Sequence, residues 1–273
     1  VSARSAGETP ASSRGVTPLR DVLRLAGGTA LTYVVVQLAG VILERATLGA
    51  IAVQALVAEF GAGRLAVAWS DPFRPPPSGR TLVKTVGQGF ALGLLAVAFV
   101  VCVALASGEA RVGETGVSVS ALLLGLLPAA LTAMRDELLF RGMVLRTFGG
   151  SVPFPVPLVV SGLASFAAAL GYEEPVTSAV REGIVGVGLA ALFWGTRALW
   201  LPWAAHTAYA WGTQTLVAGA LVDVRPMATP WAAASRALDA GPVTLAALAF
   251  LVTGAIAYRF RALRDTATHY TGA

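Results

Sequence analysis

The chain has 273 residues, of which 56% are hydrophobic and only 13% charged, whereas soluble domains carry about 25% charged residues. With a mean hydropathy of +0.71 this describes a polytopic membrane protein. The +5 net charge then sits mainly in loops and tails, which argues against nucleic-acid binding.

A single cysteine, Cys102, rules out an internal disulfide framework and a thiolate metal site. The opening stretch VSARSAGETPASSRGVTPLR is polar, small and basic. It is expected to be a disordered cytoplasmic tail over 1–21, with no removable signal peptide. The membrane domain is expected over 22–260 and a second cytoplasmic tail over 261–273. A spanning helix needs about 20 mostly apolar residues. Eight segments qualify in part or in full: 23–43, 50–69, 86–106, 118–145, 155–170, 183–198, 199–221 and 241–258. Gln54, Glu59 and Arg64 interrupt the second. Pro128 predicts a kink in the fourth, which neighbouring helices can satisfy. The fold class is therefore all-α, a helical membrane bundle.

If the eight segments alternate in direction, Arg20, Arg80, Lys84, Arg141, Arg146 and Arg197 share one side with the arginine-rich C-terminal tail. Glu109, Glu114, Glu173 and Glu174 fall on the other. Positively charged loops stay in the cytoplasm, so both termini are expected there, in a bacterial inner membrane.

Within the fourth segment, AMRDELLFRGMVLR places four charges in an apolar setting. Such charges are expensive in lipid and usually functional. Glu137 and Arg141 are i and i+4 on a helix, so they can pair, while Asp136 is turned about 100° from Glu137. The bland alternative is a helix end at the interface with snorkelling arginines. His206, early in the seventh segment, shares the cytoplasmic half with Asp136 and Glu137. A carboxylate and an imidazole at one depth can form a buried acid–base pair. Trp200 and Trp203 read as interfacial anchors, and Gly183, Gly186 and Gly188 as points of close helix packing.

These stretches resemble the CPBP family, the CAAX-type and bacteriocin-processing, Rce1-like intramembrane endopeptidases. DELLFRG is similar to its EExxxR motif, SGLASFAAAL to its FxxxH segment, and GIVGVGLAALFWGTRALWLPWAAHTAYAW to its closing HxxxN segment. The likeness covers about 127–211. It implies about eight transmembrane helices around a polar cavity and a glutamic mechanism in which a carboxylate activates water. It also implies catalytic roles for Asp136, Glu137 and His206, with Arg141 in support. Asp136 stands at the first acid position. Leu170 and Ala210 replace the family's second-motif histidine and third-motif asparagine. Tyr172, Glu173 and Glu174, just beyond Leu170, are the nearest polar replacements in sequence.

The resemblance thus implies a hydrolase cleaving a peptide bond near the membrane in anchored or exported proteins. Its partners would be membrane lipids and a transmembrane or membrane-proximal substrate peptide, with no cofactor and no metal. The alternative is a catalytically impaired homologue acting as a binding, immunity or assembly factor. A transporter would show inverted repeats with broken helices at matched positions, and the sequence has neither.

Overall fold

The computed structural model describes residues 19–44, 47–70, 76–113, 116–147, 155–171, 176–196, 198–227, 241–249 and 251–256. The tail over 1–18, Tyr172, Glu173 and Glu174, and the C-terminal tail lie outside them. The described chain is helical apart from two short strands and connecting turns. The helices are α1 (Leu19–Ile42), α2 (Leu48–Arg64), α3 (Gly79–Ala106), α4 (Val119–Thr147), α5 (Pro155–Gly171), α6 (Val176–Thr196), α7 (Trp200–Trp211) and α8 (Pro242–Ile256). Each corresponds to one predicted segment.

Of these, α1, α3, α4 and most of α6 are long and apolar enough to cross a membrane. The remaining helices are shorter, so eight full spans do not follow from helix length. Several ends also differ from the expectation. Helix α1 starts at Leu19, inside the expected tail. Helix α2 stops at Arg64, and Ala66 beyond it takes a left-handed φ of 54°. Helix α6 begins at Val176, where Arg181 and Glu182 pair with each other at 3.1 Å and so cover the charges that hid this turn from hydropathy.

Local chemistry sets several of these starts. Thr47, Ser78 and Ser118 precede α2, α3 and α4, and each accepts a hydrogen bond from a backbone N–H in the first turn. Large apolar side chains such as Leu38, Leu95, Leu123 and Leu124 point outward and are more than half exposed, as a lipid-facing surface requires.

Inside, helices approach through small residues, since lipid offers no hydrophobic drive for helices to associate. Gly89 and Gly93 on α3 lie against the backbone and alanines of α7, at Leu201, Ala204, Ala205 and Ala208. Gly162 of α5 meets Gly183 of α6, and Gly188 meets Val252 of α8. The expected packing role of Gly183 and Gly188 is thus realised. Gly93→Val would drive a branched side chain into the Ala205 carbonyl and Ala208. It is expected to cost about 1–3 kcal/mol in a thermal-unfolding assay in detergent. Gly87→Val is the control, because nothing lies near a side chain added there.

The two ends of the bundle are built differently. At one end, β1 (Ala110–Val112) follows α3 and pairs antiparallel with β2 (Val224–Pro226), which follows α7. Ser118 N–H donates to the Ala220 carbonyl at 2.9 Å, tying in the start of α4. Glu109 joins α8 to the same end. Its carboxylate accepts from the N–H groups of Val243 and Thr244, both at 2.9 Å, and from Thr244 Oγ1 at 2.6 Å. At the other end, Leu199 N–H donates to the Trp69 carbonyl at 2.8 Å, so the exit of α2 meets the entry to α7. Alternating directions predict both groupings.

Partial burial opposes the Glu109 charge, but the Thr244 hydroxyl and the two amides outweigh it and hold the carboxyl below its ordinary value of 4.5. A depressed folded-state value stabilises the fold fully above the unfolded value and is lost as pH falls through the folded one. Acid unfolding followed from pH 6 downward should therefore include a contribution that Glu109→Ala lacks. At neutral pH that variant should lose about 0.5–2 kcal/mol, as for other helix caps.

Candidate active site

The charged cluster sits where α4 changes its winding. From Val119 to Asp136 the helix is α, from Glu137 to Val144 it is π, and α winding returns at Leu145–Thr147. Pro128 lies within the first part, and the change of winding comes further on, at Glu137. A π segment is rare and often marks a functional site. Every residue from Glu137 to Met143 is buried.

Glu137 has no exposed surface. Its Oε1 lies 3.2 Å from Arg141 Nη1, the i,i+4 pairing expected from spacing, and 2.9 Å from His206 Nδ1 on α7. Beside a carboxylate oxygen, Nδ1 is the donor. The imidazole then keeps Nε2 for another partner, with a 9% residue of side-chain exposure. Glu137 and His206, 69 positions apart, are thus brought into contact.

Asp136 is held elsewhere. Its Oδ1 accepts from Arg135 Nε at 2.7 Å, and its side chain is 17% exposed. Arg135 Nη1 donates to Gln54 Oε1 at 2.8 Å, and Gln54 Nε2 donates to the Val36 carbonyl at 3.3 Å. Each acid therefore has its own arginine, and the Asp136 arm reaches through α2 to α1. Among the described residues Asp136 makes no hydrogen bond to Glu137 or His206.

The two motif positions that depart from the family pattern diverge in space. Ala210 is buried, one turn beyond His206 on α7. Leu170 is 40% exposed, at the end of α5. The buried face of α5 carries Ser161, Ser165, Ala168 and Ala169 instead. Sequence reasoning missed these serines, which lie inside the stretch read as FxxxH.

Trp200 and Trp203 do more than anchor. With Trp69 they form a cluster whose ring centroids lie 4.7–6.1 Å apart. Trp203 Nε1 donates to the Ala130 carbonyl at 3.0 Å and Trp200 Nε1 to Ser70 Oγ at 3.2 Å. Trp69 Nε1 in turn donates to Glu59 Oε2 at 2.9 Å. The cluster fastens α2, α4 and α7 together close to His206.

Glu137 itself is enclosed by its neighbours on α4 and α7. An open groove of about 400 Å³ does exist on another side of α4, between α1 and α5. Its lining is mostly apolar, with Ala30, Leu139, Phe140, Val144 and Ala164 among the contributors.

Comparison with curated proteins and with solved structures gave no match. Comparison with protein families gave one over residues 118–212, which takes in the π segment, Glu137, Arg141 and His206. Residues 118–212 are thus similar to the type II CAAX prenyl endopeptidase, Rce1-like family, and together with the apolar helices this supports an integral membrane protein.

Proposed function

We propose that the protein is an intramembrane endopeptidase that uses carboxylate-activated water to cut a peptide bond near the membrane in anchored or exported proteins. The observation that carries this reading is the Arg141–Glu137–His206 assembly, buried in an apolar bundle. Charges held in such a place are costly and are kept for chemistry. The division of labour follows from exposure. Asp136 Oδ2 makes no hydrogen bond among the described residues, and the side chain keeps some accessible surface, so Asp136 is the base. It takes a proton from water as the oxygen attacks the carbonyl carbon. Protonated His206, oriented by Glu137, presents Nε2–H to the resulting oxyanion. Collapse breaks the C–N bond, and the leaving nitrogen takes the proton from Asp136. We infer also that this chemistry lies in the cytoplasmic half, with both termini cytoplasmic in a bacterial inner membrane; the arginine-rich loops of the sequence support that orientation.

The test is cleavage of a panel of membrane-anchored reporter peptides by the wild type and by Asp136→Ala, Glu137→Ala and His206→Ala. Equal cleavage by all four proteins would eliminate the mechanism.

A second reading, a non-cleaving relative that binds a membrane peptide as an immunity or assembly factor, is favoured by one observation. Helix α5 presents no imidazole to the cluster, and Ala210 supplies no amide. Under that reading the wild type cleaves nothing. Leu170→His is expected to restore nothing, since position 170 faces outward, whereas Ala210→Asn adds an amide on the buried face that carries His206. Cleavage assays on the two single variants check this contrast.

A further inference from the structure

The α5–α6 side of the Arg141–Glu137 pair holds polar groups that the proposed mechanism does not use. Arg141 is 1% exposed and its Nε–H has no partner among the described residues. Ser161 and Ser165, fully and nine-tenths buried, likewise have hydroxyls without a partner among the described residues. They are i and i+4 on α5 and so share a face.

Hydroxyls in apolar helices usually turn back to the carbonyl four residues earlier. Thr29, Thr32, Thr213 and Thr253 all do so here. Ser161 and Ser165 do not. If only small size were required, alanine would serve, and α5 already uses it at Ala164, Ala167, Ala168 and Ala169.

Gly186 of α6 shows where the Ser165 hydroxyl faces. A Cβ built on it would lie 2.6 Å from Ser165 Oγ and 3.3 Å from Arg141 Nη2. Hydroxyl and guanidinium therefore crowd the same side of Gly186, an approach that only glycine permits, and Ser165 Oγ makes no hydrogen bond to Arg141. A water needs two to four polar partners at such a place. Arg141 supplies donors, and the serine hydroxyls supply acceptors and further donors.

We propose that Ser161, Ser165 and Arg141, around Gly186, form an internal water-binding chamber on the α5–α6 side of Glu137. The bound water satisfies the guanidinium donors that Glu137 leaves over. It thereby fixes the pose of Arg141 and, through Glu137, that of His206. Ser165 is a positioning residue in this scheme, acting through water. The chamber does not depend on whether the protein cleaves peptides.

The test uses the full-length protein in nanodiscs with Cys102→Ala, so that one introduced thiol can be followed by its S–H infrared band. Ser165→Cys is expected to show a hydrogen-bonded S–H that converts to S–D on transfer into D2O. Exchange should be at least about tenfold faster than for Ala190→Cys, since a dry core position exchanges only through local opening. Adding Gly186→Ala to Ser165→Cys should abolish the fast exchange. If either Ser165→Cys or Gly186→Ala fails to fold by circular dichroism, Ser161→Cys alone reads the same water from one turn away. A free S–H band that persists in D2O as long as that of Ala190→Cys overturns the proposal. Fast exchange in a protein that cleaves no reporter leaves the chamber standing and removes the protease. Slow exchange in an active protease does the reverse.

Discussion

Arg141→Met is expected to destabilise the protein by about 3–5 kcal/mol, the range found when one member of a buried ion pair is removed and its partner stays behind. Glu137 has no exposed surface, and after the substitution its carboxylate keeps only His206 as a partner. Denaturant or thermal unfolding in a mild detergent measures the loss. A double-mutant cycle makes the prediction sharper. Glu137→Leu combined with Arg141→Met replaces both charges with apolar groups of similar size, and such replacements are often neutral or stabilising. The double variant should therefore be more stable than Arg141→Met alone, although it cannot orient His206. If Arg141→Met unfolds like the wild type, the pair contributes nothing to the fold. The case for charges retained at a cost would then fall with it.

The second large effect concerns cleavage. Asp136→Asn keeps the shape of the side chain and removes its basicity, so cleavage should fall by about 10²–10⁴, the usual contribution of a general base. His206→Ala should fall by about 10²–10³, the cost of one lost oxyanion donor. Glu137→Gln should also reduce the rate, because an amide can present its NH2 group to Nδ1 and favour the wrong tautomer. Residues that act as one unit do not add, so Asp136→Asn/His206→Ala should lose far less than the product of the two single losses. Turnover of a membrane-anchored reporter under single-turnover conditions reads all of these. If Asp136→Asn is fully active while Glu137→Gln is dead, the two acids exchange roles.

Much of the bundle could be read from the sequence because apolar length is a strong signal in lipid. Each of the eight segments corresponds to a helix among the described residues, and the pairing of Glu137 with Arg141 follows from spacing alone. The contact with His206 needed the order of the helices, and alternation supplied it. What stayed hidden depends on angles that hydropathy does not carry. Gln54 looked like a flaw in the second segment, yet it is the link between Arg135 and the backbone of α1. The inward face of α5 belongs to Ser161 and Ser165 and not to Leu170, because its rotation is fixed by Gly162 packing on Gly183. The short start of α6 was missed because a neighbouring Arg181–Glu182 pair looks polar in a hydropathy window, although the two charges cover each other.

The π stretch from Glu137 to Val144 has a consequence for how α4 tolerates change. Such a stretch holds surplus chain relative to ordinary winding over the same rise, and so works as a phase adjuster between the two α-helical parts that flank it. A one-residue deletion there would let the stretch return to α winding with the downstream part kept in phase, whereas the same deletion between Val119 and Asp136 would turn everything after it by about 100°. In that second case Leu145, Arg146 and Thr147 would present the wrong sides to their neighbours. The π stretch is therefore the part of α4 that can lose a residue without an error of rotation.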